Sequence, residues 1–240
     1  MNLIIDQGNT NVKAAVFEQN KIKEVLTCAS LEDKNFIAFI SKYEIKKGIF
    51  SSVQKEELAQ LLKKYNLFTL SHTTPLPLKI IYKTPKTLGL DRVAAAVGAI
   101  SLFPNTNVLT IDMGTCITYD FINAAQNYLG GGISPGFEMR FKALANYTGK
   151  LPLVQFKKEQ LKLIGDTTES SIISGIYNGV RCEINGIIQQ YVQQYSDLNV
   201  VVTGGDVNRF DLEPKNRIFA DEFLVLKGLS EILNYNDKIE

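Results

Sequence analysis

The chain is 240 residues long, 45% hydrophobic and 21% charged, values of an ordinary folded protein that exclude disorder as its organising state. Its formal net charge of +1 gives no general attraction to nucleic acid or to an anionic membrane, so neither is expected as a partner. Cys28, Cys116 and Cys182 stand far apart, with neither disulfide nor metal-ligand spacing, which fits a reduced, cytoplasmic thiol set.

The run Leu3-Ile4-Ile5-Asp6-Gln7-Gly8-Asn9-Thr10-Asn11-Val12-Lys13 reads as strand, tight turn, strand, with the second apolar run continuing to Phe17. A charge at Asp6 comes too early for a signal peptide. Gly8, Asn9 and Thr10 leave backbone N–H groups sterically open and add hydroxyl and amide donors. Such a turn can wrap phosphate oxygens, while Asp6 at the strand end can hold a hydrated Mg²⁺ near them. A third strand is expected at 22–27, a helix at 33–43 and a buried strand at 48–53. An amphipathic helix at 54–65 and a short strand at 67–70 complete this part, whose order predicts a mixed α/β domain. His72, the only histidine, stands just before Pro75 and Pro77 and reads as an exposed loop residue rather than a proton shuttle.

Tyr82-Lys83-Thr84-Pro85-Lys86-Thr87-Leu88-Gly89-Leu90-Asp91-Arg92 leads into an alanine-rich helix. On one reading Gly89 turns the chain, Asp91 is the N-cap and Arg92 is solvated. On the other, Asp91 and Arg92 face a substrate, the carboxylate taking a proton from an attacking hydroxyl and the guanidinium binding an anionic acceptor. The uncharged stretch 93–111 has the length of a membrane span, but Pro104-Asn105-Thr106-Asn107 divides it into helix, turn and strand.

Val108-Leu109-Thr110-Ile111-Asp112-Met113-Gly114-Thr115-Cys116-Ile117-Thr118 repeats the opening phrase element for element, which indicates an internal duplication. The expected division is therefore an N-terminal domain over 1–105 and a C-terminal domain over 106–240. The run 128–136, with Gly130, Gly131 and Gly132, is expected to end a strand and open a helix at 137–147, with Pro135 at the first helical position. Thr168 introduces a long helix at 170–194, in which Gly175 and Gly179 allow close approach of a helix or ligand. A strand at 198–202 runs into Thr203-Gly204-Gly205-Asp206, an arrangement that admits a nucleotide base or ribose. A last helix is expected at 219–233.

The ordered set of motifs resembles a known family. Two Asp-x-Gly turns and a late Gly-Gly look like the superfamily of acetate and sugar kinases, Hsp70 and actin. Within it, Asp6-x-Gly8-Asn9-Thr10-x-x-Lys13, Gly89-x-Asp91-Arg92 and Asp112-x-Gly114-Thr115 are similar to type III pantothenate kinase. The likeness extends to Tyr82, to the 130–136 run, to Thr168-x-x-Ser171-Ile172-x-x-Gly175 and to Thr203–Asp206, nearly the whole chain. It implies an α/β fold of two duplicated ribonuclease H-like lobes, mixed sheets flanked by helices, with the nucleotide in the cleft between the lobes. It also implies that Asp6, Gln7, Gly8, Asn9, Thr10, Asn11, Val12 and Lys13 form the first phosphate loop, with Asp6 near Mg²⁺ and the γ-phosphate of ATP. Thr115 touches phosphate from the second loop, and Gly204 and Gly205 lie by the adenosine. Asp112 binds a monovalent cation, potassium or ammonium. Gly89, Leu90, Asp91 and Arg92 bind pantothenate, with Asp91 as general base, and Tyr82 and Thr168 complete that pocket. The family is a homodimer, and the long helix is the candidate interface. Gln7 departs from the usual aliphatic residue and Cys116 from a small one. Two further classes remain open at this point: another kinase or phosphatase of the superfamily, and a non-catalytic actin-like or regulatory nucleotide-binding protein.

Overall fold

The computed structural model describes residues 1–52, 63–210 and 218–239. The helix expected at 54–65 falls largely outside them. In chain order the first half carries β1 (Asn2–Gln7), β2 (Val12–Glu18), β3 (Lys21–Cys28), α1 (Lys34–Ser41), β4 (Lys47–Ser52), β5 (Leu67–Thr69), β6 (Lys79–Ile80) and α2 (Leu90–Leu102). The second half carries β7 (Asn107–Met113), β8 (Cys116–Ile122), β9 (Asn127–Pro135), α3 (Phe137–Tyr147), α4 (Thr168–Gln194), β10 (Leu198–Thr203), β11 (Ile218–Ala220) and α5 (Leu224–Asp237). These form two compact units. One is Met1–Asn105 with Ile122–Gly130 and Phe223–Glu240; the other is Thr106–Phe121 with Gly131–Glu222.

One sheet has five strands in the order β3-β2-β1-β4-β5, and the other has six in the order β6-β9-β8-β7-β10-β11. The repeat written into the two Asp-x-Gly phrases thus extends to five strands of each sheet, β3-β2-β1-β4-β5 matching β9-β8-β7-β10-β11, with β6 added beside β9. β1 pairs antiparallel with β2 and parallel with β4, which is what makes each sheet mixed. β7 takes the same parallel neighbour in β10.

β1 is the centre of its sheet, and its apolar residues leave water on both faces. Ile4, with Ala15 and Ile49, packs against residues of α2 and α5, while Leu3, Ile5 and Phe50 pack with Phe36, Phe39 and Ile40 of α1. The period of two along the strand assigns alternate residues to two different helical layers. α2 and α5 pack closely, because glycines meet backbone there. A Cβ at Gly98 would lie 2.5 Å from the Leu224 carbonyl oxygen, and one at Gly228 would overlap that of Ala94. This backbone-to-backbone packing returns the C-terminal helix to the first unit. In the second unit Leu109, Ile111, Met113, Val200 and Val202 bury against Phe137 and Phe141 of α3 and Ile173, Val180 and Ile184 of α4.

Four boundaries differ from expectation. Pro135 ends β9, and Gly136 is the N-cap of α3. α4 starts at Thr168 behind a capping box in which Thr167 and Ser170 exchange hydrogen bonds, so two hydroxyls satisfy the exposed N–H groups. Phe219 lies in β11, paired with Val201, and the last helix begins only at Leu224. Asp91 is not a cap: Gly89 takes that position and Asp91 lies inside the first turn of α2. The helix, turn and strand expected across 93–111 are α2, a break and β7. Among the described residues no helix is long and apolar enough to cross a membrane.

Candidate active site

In the first unit, Asp6 is the penultimate residue of β1 and the cross-strand partner of Lys13. Gly8 N–H donates to the Asn11 carbonyl at 3.0 Å and closes the turn, leaving Asn9, Thr10 and Asn11 exposed at its tip. Exposed polar side chains on a tight turn at the end of a central strand suit an anion. Gln7 is different: it is 3% exposed, and its Oε1 accepts from Ser52 Oγ at 3.0 Å. Its side chain is engaged within the sheet with its neighbour on β4, which accommodates a polar group where the family pattern has an aliphatic one.

The second group in this unit gathers at the start of α2. The Asp91 Oδ1 accepts from the Arg92 backbone N–H at 2.8 Å, and this carboxylate folds back over Gly89, where a Cβ would overlap it. Arg92 is 8% exposed, which rules out the solvated surface arginine of the capping reading. A buried arginine is an arrangement that needs defined polar partners. Tyr82 packs edge-on against Tyr128 at 6.2 Å and covers Gly130, where a Cβ would lie 3.2 Å from its ring. His72 is an exposed loop residue whose ring nitrogen lies 2.9 Å from the Leu88 carbonyl, a tie for the segment leading to Gly89.

In the second unit four strand and helix ends converge. Gly114 N–H donates to the Cys116 carbonyl at 3.0 Å, so this turn is shorter than the first and presents Thr115 at its tip. Asp112 is the register partner of Thr203 on β10. Beyond Thr203 the chain takes a left-handed step at Gly204, φ +101°, and the Asp206 N–H donates to the Met113 carbonyl at 3.0 Å. Gly136 closes the other side, its α-carbon pressed on the carbonyls of Gly114 and Thr115. Asp112, Thr115, Gly204 and Gly205 are therefore assembled by adjacent strand ends. Thr168 stands apart from them, on the wall of an open cavity of about 720 Å³ with Asp166, Ser171, Leu144, Leu151 and Ile172. Among the described residues no group of three or more His, Cys, Asp or Glu side chains could hold a metal. One carboxylate per turn suits a cation that takes its other ligands from phosphates and water.

A family model described as type III pantothenate kinase matches residues 2–190. A type III pantothenate kinase of Phocaeicola vulgatus is 46% identical over 245 residues, covering 100% of each chain. The chain belongs to the type III pantothenate kinase family. Solved structures repeat the fold. A conserved Baf family protein of Campylobacter jejuni superposes with a TM-score of 0.62 at 22% identity, covering 98% of this chain and 99% of that one. A glucokinase from an Antarctic psychrotroph gives 0.54 at 11%, covering 98% of each. The architecture of two mixed sheets flanked by helices is thus shared with two-lobe sugar kinases.

The sequence reading of this pantothenate kinase family member missed one polar cluster. Arg140 of α3, Glu183 of α4, Tyr119 of β8 and Ser134 of β9 are joined by hydrogen bonds. A signal was present in Glu183, which shares the inward helical face of Val180, Ile184 and Ile187, a position where an acid needs a partner. Arg209 was missed as well; its Nε pairs with Asp206 Oδ1 at 2.9 Å and its Nη1 with Glu138 at 2.9 Å. Burial pushes the Asp206 carboxyl above its ordinary range, and Arg209 reverses only part of this.

Proposed function

We infer that this chain transfers the γ-phosphoryl group of ATP to the primary hydroxyl of pantothenate, giving 4'-phosphopantothenate and ADP, the first step of coenzyme A biosynthesis. The observation that carries the reading is family membership across the chain, at 46% identity to a type III pantothenate kinase matched over the full length of both chains. The acceptor oxygen attacks phosphorus, its proton passes to a base, and the bond from the γ-phosphorus to the bridging oxygen breaks as ADP leaves. Such a reaction asks the protein for positioning and charge neutralisation.

In this reading Asp6 to Lys13 form the first phosphate loop, and Thr115 contacts phosphate from the second. Asp6 helps hold Mg²⁺, which supplies charge neutralisation on the phosphates. Asp112 recruits potassium or ammonium, and Gly204 and Gly205 border the adenosine. Asp91 accepts the hydroxyl proton, Arg92 pairs with the pantothenate carboxylate, and Tyr82, Gly89, Leu90 and Thr168 shape the pocket. Burial of Arg92 supports its assignment, since a guanidinium shielded from water binds a carboxylate more strongly. The enzyme acts in the cytoplasm as a homodimer, with its two duplicated halves, 1–105 and 106–240, as the lobes of the kinase.

ADP release from ATP with pantothenate, acetate, glucose or no acceptor tests the reading. Release that depends on pantothenate is expected. Release with another acceptor alone would leave a kinase of different substrate, and none with any acceptor would leave a nucleotide-binding protein.

A further inference from the structure

Arg140 serves four groups at once. Its backbone N–H donates to the Gly136 carbonyl at 3.2 Å, its Nε to the Pro135 carbonyl at 2.9 Å, and its Nη2 to Ser134 Oγ at 3.0 Å and Glu183 Oε2 at 2.5 Å. The other Glu183 oxygen accepts from the Tyr119 hydroxyl at 2.8 Å. The two ionic side chains are 21% and 25% exposed, so water screens this pair less than a surface one. The arginine side chain thus holds Ser134 and Pro135 at the end of β9, its backbone N–H makes the ordinary first-turn helix bond to Gly136, and Glu183 anchors it to the long helix.

Those three residues end in Gly136. Its α-carbon touches the carbonyl oxygens of Gly114 and Thr115 so closely that a Cβ there would overlap the Thr115 oxygen. A second route reaches the same turn. Tyr119 lies four positions beyond Thr115, and Gly131 is pressed on the Tyr119 carbonyl. With contacts this tight, a displacement of the β9 end is passed to the Thr115 turn rather than absorbed.

We propose that Arg140 and Glu183 are positioning residues for ATP: through Ser134–Gly136 on one side and Tyr119 on the other, they set the place of the Thr115 turn. The inference rests on the reading that Thr115 contacts ATP phosphate. Neither side chain need touch the nucleotide. Lysine cannot replace the arginine, because one ammonium on a flexible stem does not reproduce a planar fork aimed at three acceptors.

The test measures KM for ATP, KM for pantothenate, kcat and melting temperature for wild type, T115A, R140K, E183Q and Y119F. R140K and E183Q are expected to raise KM for ATP by at least about tenfold, the size of effect that small displacements of a binding group produce. KM for pantothenate should stay at the wild-type value, and Y119F should shift KM for ATP in the same direction by less. Lowered melting temperatures with KM for ATP unchanged would make the pair purely structural and overturn the inference. If R140K does not fold, E183Q and Y119F decide by the same criterion. T115A without effect on KM for ATP would remove both the reading and the inference. T115A with an effect, alongside silent R140K and E183Q, would remove the inference alone.

Discussion

Asp112 Oδ1 occupies the space that a side chain on Gly204 would need: a Cβ there would lie 2.5 Å from it, and 2.5 Å from the Met113 carbonyl oxygen. Gly204 also has φ +101°, so the residue is required for both its conformation and its lack of volume. Gly205 is exposed, and a Cβ there meets nothing within 4 Å. Gly204→Ala should therefore destabilise the protein by about 1–3 kcal/mol, the range of backbone strain at such sites, and Gly205→Ala should leave stability unchanged. Thermal or urea unfolding of the two variants checks this, and equal stabilities would contradict it.

Asp91→Asn separates the base from the helix end. The Oδ1 that accepts from the Arg92 N–H is present in asparagine as well, and the N-cap is Gly89, so folding should not suffer. We expect an unchanged melting temperature, retained ATP binding, and a loss of pantothenate-dependent ADP release of about 10²–10⁴-fold, the usual range for a general base. An Asn variant with wild-type turnover would return Asp91 to a positioning role at the head of α2.

A monovalent cation at Asp112 predicts a salt-specific activity. Rates should rise in potassium or ammonium and be low in sodium at equal ionic strength. Asp112→Asn should lower activity and flatten the difference. Equal wild-type rates in all three salts would remove the cation from Asp112.

Glu183 makes stability depend on pH. Burial alone would raise its pKa, but hydrogen bonds from Arg140, Tyr119 and Ser134 outweigh burial and hold the carboxyl below its ordinary value of 4.5. A depressed folded-state pKa means that the contribution is fully present above the unfolded value and is lost as pH falls through the folded one. The melting temperature of wild type should exceed that of Glu183→Gln above pH 4.5, and the gap should close as the pH is lowered further. A gap independent of pH would show that the charge of Glu183 is not what matters.

Local sequence determined the two strand–turn–strand phrases, because continuous apolar runs and turn chemistry are read over a few residues. Asp6, Gly8, Asp112 and Gly114 were legible for that reason, as were β3, α1, β4 and β10. Family resemblance named the roles that spacing could not. Tertiary structure decided where the long-range partners lie. Gly89 displaced Asp91 as the cap of α2, because capping depends on backbone dihedrals that residue type only biases. Gln7 is accommodated by Ser52, a neighbour across a parallel pair and 45 positions away in the chain. The C-terminal helix joins the first unit because Gly98 and Gly228 let two backbones touch, and no local pattern encodes that meeting. Arg140 and Glu183 are 43 residues apart, and only the packing of α3 on α4 brings a guanidinium and a carboxylate together.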